Sequence, residues 1–63
     1  MDIEKETVID FIMIRDISSI ALIAAELEIG EDEVRGIITG LLREGRLEGQ
    51  FSNDWQRFYR ANI

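Results

Sequence analysis

Apolar residues recur at the spacing of an α-helix in three successive segments of the chain. The first segment runs from about Ile3 to Ile14 and carries Val8, Phe11 and Ile12. The second ends near Glu28 and carries Ile20, Ile23, Ala24 and Leu27. The third, residues 31–44, has the longest stripe, which consists of Val34, Ile37, Ile38, Leu41 and Leu42. Spacings of i, i+3, i+4 and i+7 predict amphipathic helices, each with one apolar face turned to a core.

Short polar segments separate these helices. Ile17 stands between Asp16 and a serine pair, which is room for no more than a β-bridge or a one-residue strand. Either serine, Ser18 or Ser19, can cap the second helix. Ile29 and Gly30 form the next turn, and the acidic run of residues 31–33 opens the third helix at the end where the helix dipole favours acids. Gly45 ends that helix, because glycine adopts the left-handed conformation without strain.

After Gly45 the apolar period changes from 3.6 to 2. Leu47, Gly49 and Phe51 alternate with polar residues and predict a strand, and residues 52–54 are turn formers. Residues 56–61 predict a returning strand, because they include Phe58 and Tyr59. The predicted fold class is therefore α+β: a three-helix winged helix-turn-helix with a C-terminal two-stranded β-hairpin wing, in one domain of residues 1–63.

The segments from Ile20 to Val34 and from Leu41 to Gly49 resemble winged-helix domains, and the resemblance covers nearly the whole chain. Within that superfamily the chain is most similar to the PCI-type winged helix and its relatives, the DDRGK-motif proteins. A leucine pair, an acid-glycine step and a second glycine stand in the matching places: Leu41-Leu42, Glu44-Gly45 and Gly49. Where the DDRGK proteins have their name-giving run, this chain has residues 54–57, Asp-Trp-Gln-Arg. The resemblance implies a module that docks proteins together inside larger assemblies.

Composition narrows the function further. The 63 residues include no cysteine, histidine or proline, and 46% are apolar. Without thiol or imidazole groups the chain lacks a disulfide framework, the usual nucleophile-base pairs and the usual zinc ligands. We therefore expect no enzyme, no cofactor, no metal site and no small-molecule substrate. No apolar run approaches the roughly 20 residues of a membrane span, and the acidic start is unlike a secretory signal, so we expect no membrane association and a cytoplasmic location.

Charge is divided unevenly along the chain, whose net charge is −6. Residues 1–33 carry two basic and ten acidic residues, whereas residues 34–63 carry five arginines and three acidic residues. A winged helix commonly binds DNA through the start of its third helix, but here that start holds three carboxylates, which oppose a polyanion. DNA binding therefore remains the disfavoured alternative, and its contacts would be Arg35, Arg43, Arg46, Arg57 and Arg60. In the competing interpretation these arginines are solvated partners of nearby acids, as Glu31 and Arg35 are at i, i+4.

Several residues outside the apolar stripes are candidates for a protein interface. Met13 and Ile14 lie off the arc of the first helix, and Leu22 lies off that of the second, beside Ala21 and Ala25. They mark either a docking surface or the ordinary exposure of single apolar side chains.

The third helix and the wing add further candidates. Gly36 and Gly40 lie on the outward face of the third helix, next to Thr39. Each glycine costs helix stability, so the pair is either neutral sequence drift at exposed positions or a place where a partner helix packs closely. Trp55 either packs on the hairpin or anchors a partner. Together these features predict a protein-interaction module that binds another protein or a second copy of itself.

Overall fold

The computed structural model describes residues 3–61, which form three helices followed by an antiparallel hairpin. Helix α1 spans Ile3–Ile9 and continues as a π-helical segment, Asp10–Ile14. Helix α2 spans Ile20–Leu27 and helix α3 spans Glu31–Arg43. Strands β1, Gly49–Phe51, and β2, Phe58–Arg60, form the hairpin. The predicted α+β class, with three helices and a C-terminal hairpin wing, is confirmed.

The first helix differs from the regular α-helix predicted for residues 3–14, because its second half widens into π-helical turns. The N–H of Arg15 donates to the carbonyl of Asp10 at 3.0 Å, which spans five residues instead of four. The N–H of Ile17 donates to the carbonyl of Phe11 at 2.8 Å and continues the wide turn. This segment buries Phe11 and Ile12 and leaves its last two residues exposed. The apolar pattern located the helix but carried no signal for this change in hydrogen bonding.

Ser19 and Gly45 mark helix ends as predicted, whereas α2 ends at a residue type that rarely adopts the left-handed conformation. Ser19 caps α2, since its Oγ accepts from the N–H of Leu22 at 3.3 Å. Glu28 ends α2 in the left-handed conformation, at φ 58°. Gly45 follows α3 at φ 75°, which confirms the predicted glycine stop. Helix α3 ends at Arg43, one residue before the predicted end, with Glu44 as its C-cap.

A β-bridge joins the connector before α2 to the hairpin. Ser19 pairs with Arg57, and the N–H of Phe58 donates to the carbonyl of Ser18 at 2.9 Å. The N–H of Ile20 donates to the carbonyl of Gln56 at 3.0 Å. The prediction of a bridge in this connector is right, but its placement at Ile17 is wrong by two residues. The bridge places β2 between the connector and β1.

The hairpin strands are shorter than predicted: β1 begins at Gly49 instead of Leu47, and β2 spans Phe58–Arg60 instead of residues 56–61. The loop between them takes residues 52–57. We call these residues the wing loop. In β1, Gly49 has φ 153°, and a Cβ on it would lie 2.2 Å from the carbonyl oxygen of Tyr59 and 2.7 Å from the Cα of Arg60. Only glycine therefore lets the two strands approach at this position.

The core lies between the three helices and is closed by the hairpin. From the helices the buried side chains are Val8, Phe11, Ile12, Ile20, Ile23, Ala24, Val34, Ile38 and Leu41. The hairpin side contributes Leu47 and Phe58. Three residues of the predicted helical stripes, Leu27, Ile37 and Leu42, pack against this core but are only partly buried. The protein is small, with a radius of gyration of 10.4 Å, so these three residues lie at the edge of the core.

Candidate interaction surfaces

The end of the first helix presents apolar side chains to solvent. Ile14 is 77% exposed and Met13 is 43% exposed, as the apolar period predicts. The guanidinium of Arg60 donates to the carbonyl oxygen of Met13 at 3.1 Å and lies 3.9 Å from its sulfur. This contact joins the π-helical segment to β2. Met13 also lines an open groove between that segment and the hairpin.

Helix α2 has a second apolar exposed face. Leu22 is 48% exposed, and the neighbouring Ala21 and Ala25 are exposed as well. The opposite side of the same helix is buried through Ile20 and Ile23. An alanine-leucine face on a short helix leaves room for close approach by another element.

The outer face of α3 is lined by small residues, as predicted. Gly36 is exposed and Gly40 is half-buried, and a Cβ on either would meet no atom within 4 Å. The hydroxyl of Thr39 donates to the carbonyl of Arg35 at 2.8 Å, within the same helix. The hydroxyl of Thr39 is therefore already hydrogen-bonded within α3.

Trp55 packs on the hairpin and is also partly exposed. Its ring stacks on Phe51 with the centroids 4.8 Å apart, and Phe51 in turn meets Phe58 edge-on at 5.4 Å. Even so, 56% of Trp55 stays exposed. The residue has φ 62°, in the left-handed region that a bulky side chain rarely adopts. An aromatic side chain that packs on a neighbouring ring and stays half in solvent is typical of a binding anchor.

Asp54 organises the wing loop. Its Oδ1 accepts from the hydroxyl of Ser52 at 2.7 Å and from the N–H of Gln56 at 3.1 Å. These bonds favour the ionised form, so they hold the pKa of Asp54 below its ordinary value, with the Ser52 hydroxyl as the largest cause. The hydroxyl oxygen of Ser52 also accepts from the N–H of Arg57 at 3.1 Å.

Arg35 joins α3 to the wing loop. One nitrogen donates to Asp32 at 2.5 Å, and another donates to the carbonyl of Trp55 at 3.0 Å. Glu31 lies 3.8 Å from the same guanidinium, so the predicted i, i+4 pair forms alongside the closer i, i+3 pair. Two of the three acids that open α3 therefore face an internal cation.

The other candidate arginines differ in their surroundings. Arg46 pairs with Glu6 and approaches Glu44 at 4.0 Å, and Arg60 approaches Asp16 at 3.8 Å. Within residues 3–61, neither Arg43 nor Arg57 forms an ion pair. The charge of Arg57 still contributes to the lowered pKa of Asp54. The five arginines do not form one continuous basic surface, because three of them are matched with acids.

Two exposed apolar residues were missed by the sequence reasoning. Tyr59 is 52% exposed and Ile3 is 65% exposed. The period of two in β2 gives the signal for Tyr59, because it follows the inward-facing Phe58 and must point away from the core. Ile3 is the first residue of the first helix, so no preceding helical turn indicates whether its side chain faces the core or the solvent.

No helix within residues 3–61 has the length and apolarity to cross a membrane. In the same range, no group of three or more acidic side chains converges as metal ligands would.

Comparisons with protein-family models, curated proteins and solved structures find no match to this chain.

Proposed function

We propose that this chain is a non-catalytic protein-docking module, a winged-helix domain of the PCI-like kind that binds a protein partner or a second copy of itself. The observation that carries the proposal is the exposure of large apolar side chains on separate elements, above all Ile14, Leu22 and Trp55. Anchored apolar side chains in a polar surround are what protein interfaces use. The helices that bear Ile14 and Leu22 and the hairpin that bears Trp55 share one core, which preorganises the surface.

DNA binding by α3 and the wing is the alternative, and the free charges of Arg43 and Arg57 favour it. The acidic residues at the start of α3 disfavour DNA binding. Glu33 and Asp32 are exposed there, and Arg35 is engaged by acids and by the wing loop. Phosphate contacts by free cations supply most non-specific DNA affinity, and two arginines on different elements supply few of them.

Replacing Leu22 with glutamate tests the docking function. Leu22 is half-exposed, so Leu22→Glu is expected to change stability by less than about 0.5 kcal/mol. A charge buried against a partner is left desolvated, so the variant should lose the proteins that co-purify with the tagged chain from its own cells. Asn53→Asp adds the same charge on the wing loop and serves as the control. Thermal unfolding and quantified co-purification give the two readouts, and loss of folding in Leu22→Glu would instead assign Leu22 to the core.

An NMR titration with short duplex DNA at low salt tests the alternative. The unmodified chain is expected to give no saturable shifts in α3. A variant with Glu31→Gln, Asp32→Asn and Glu33→Gln removes three repulsive charges and releases Arg35, so it should bind measurably and report that the assay works. Tight, sequence-selective binding by the unmodified chain at physiological salt would make DNA binding the function.

A further inference from the structure

The outer face of α3 is acidic at one end, basic at the other and lined by small residues between. With 3.6 residues per turn, the side of α3 opposite the buried Ile38 carries Glu33, Gly36, Gly40 and Arg43. No other element of residues 3–61 approaches either glycine within 4 Å of the Cβ position. This face is therefore an open, unpartnered helix surface.

The residues on this face are arranged symmetrically along the helix. Glu33 and Arg43 lie equally far from position 38, on either side of it, and the same holds for Gly36 and Gly40. A twofold axis across the helix at position 38 would place Glu33 opposite Arg43 of a second copy, and Gly36 opposite Gly40 of that copy. Isologous dimers have this kind of self-complementary surface.

The charges on this face are also available to a partner. Within residues 3–61 neither Glu33 nor Arg43 forms an ion pair, although other charged residues of the third helix do so. An antiparallel pair of α3 helices would form the Glu33–Arg43 contact twice. The glycines would let the two backbones approach at the short end of the usual 8–10 Å range for packed helices.

The wing loop extends the same surface. Arg35 holds the carbonyl of Trp55 at 3.0 Å while it pairs with Asp32, so the wing loop lies beside the acidic end of α3. In the antiparallel pair that end faces the basic end of the second copy's helix. The half-exposed Trp55 would then flank Arg43 of the second copy, where an arginine and an aromatic ring attract each other. This contact would increase the surface buried between the two copies, and a stable interface buries roughly 800 Å² of each partner.

From these features we propose that the partner of this surface is a second copy of the chain, docked antiparallel through the outer face of α3 and flanked by Trp55 of each copy. The proposal rests on the docking function proposed above and names the partner of one of its surfaces. Charge complementarity selects the second copy, because each end of the face matches the opposite end of the same face.

Two charge reversals, used singly and mixed, test this arrangement by sedimentation equilibrium. Glu33→Arg and Arg43→Glu each place like charges at both ends of a homodimer, so each alone should weaken dimerisation at least about tenfold. In an equimolar mixture the introduced arginine of one variant faces the introduced glutamate of the other, and the unmodified Glu33 and Arg43 pair at the opposite end. The mixture should therefore restore the dimer to within a few-fold of the unmodified chain. Glu26→Arg makes the same charge change on exposed α2 and should leave the dimer unchanged.

A glycine substitution separates stability from association. Gly36→Ala places a methyl group in open space in the single chain, so the Tm should rise, because alanine favours the helix. The same methyl group should weaken the dimer, since it keeps the second helix away. A rise in Tm with unchanged dimerisation would overturn the proposed contact.

Three further outcomes would each overturn this dimer. They are a chain that stays monomeric at its highest soluble concentration, single charge reversals that dimerise as the unmodified chain does, and a mixture that stays monomeric. In each case Leu22-dependent co-purification would still decide the general docking function, because Leu22 lies on α2 and outside this face. A dimer abolished by Leu22→Glu alone would place the homodimer interface on α2 instead.

Discussion

Three residues other than glycine adopt left-handed backbone conformations within residues 3–61: Asp16, Glu28 and Trp55. Glu28 does so where α2 ends, and its N–H donates back to the carbonyls of Ala24 and Ala25. Glycine is the usual residue at such a position, because a Cβ raises the energy of the left-handed conformation by about 1–2 kcal/mol. The carboxylate also lies at the negative end of the helix dipole. Glu28 therefore carries two unfavourable local terms.

Glu28→Gly is expected to stabilise the protein by about 1 kcal/mol in urea unfolding, because it removes the left-handed strain and the charge together. The greater freedom of glycine in the unfolded chain offsets part of the gain. Glu28→Gln removes the charge alone and should give only a few tenths of a kcal/mol. A glycine variant no more stable than the glutamine variant would show that Glu28 is not strained.

Single positions could be predicted from the sequence where one element decides them. The exposure of Met13, Ile14 and Leu22 follows from helical periodicity alone. The requirement for glycine at position 49 could not be predicted, because it arises from the backbone of β2, which approaches only after the hairpin forms. The partner of Arg35 on the wing loop is non-local in the same way, since Trp55 is distant in sequence.

At the scale of elements, α3 was predicted most closely and the strands least. Thirteen helical residues repeat the apolar stripe enough times to fix its face, and Gly45 marks its end. Strands β1 and β2 have three residues each, so one change in the loop moves their bounds. The bridge at Ser19 depends on Arg57, far along the chain, which local pattern does not reveal.

The wing loop should loosen in acid as Asp54 is protonated. The pKa of Asp54 is lowered in the folded state, so its ionised form stabilises the loop fully at pH values above the ordinary pKa of 3.8. This stabilisation is lost as the pH falls through the lower pKa of the folded state. NMR titration should therefore give Asp54 a midpoint below 3.8, with the amide signal of Gln56 moving at the same pH. Ser52→Ala removes the largest cause and should raise the midpoint toward the ordinary value. An Asp54 midpoint indifferent to Ser52→Ala would contradict the bonded loop.

Across the whole molecule, ion pairs join the acidic first half of the chain to the arginine-rich second half. Lys5 pairs with Glu44 at 2.6 Å, and Arg46 pairs with Glu6, so α1 is tied to the end of α3 by charges of both signs. Exposed pairs of this kind add little stability, but they occupy charges that a DNA backbone would need. The arginine-rich second half kept DNA binding open as an alternative, and three of its five arginines are matched with acids in the folded chain. Which charge meets which could be known only from the packing of the helices.

The fold as a whole should depend on Ile38, which is fully buried at the centre of α3. Ile38→Ala is expected to cost about 2–5 kcal/mol, because it removes apolar contacts and leaves a cavity that the surrounding helices fill only in part. Stability amounts to about 0.05–0.15 kcal/mol per residue, so that loss is a large share of what a chain of this size has. Ile38→Val, at about 0.5–1.5 kcal/mol, keeps the measurement possible if the alanine variant does not fold. The neighbouring Ile37 is only partly buried, so Ile37→Ala should cost clearly less in the same urea unfolding series. Equal losses at the two positions would contradict the orientation of α3 against the core.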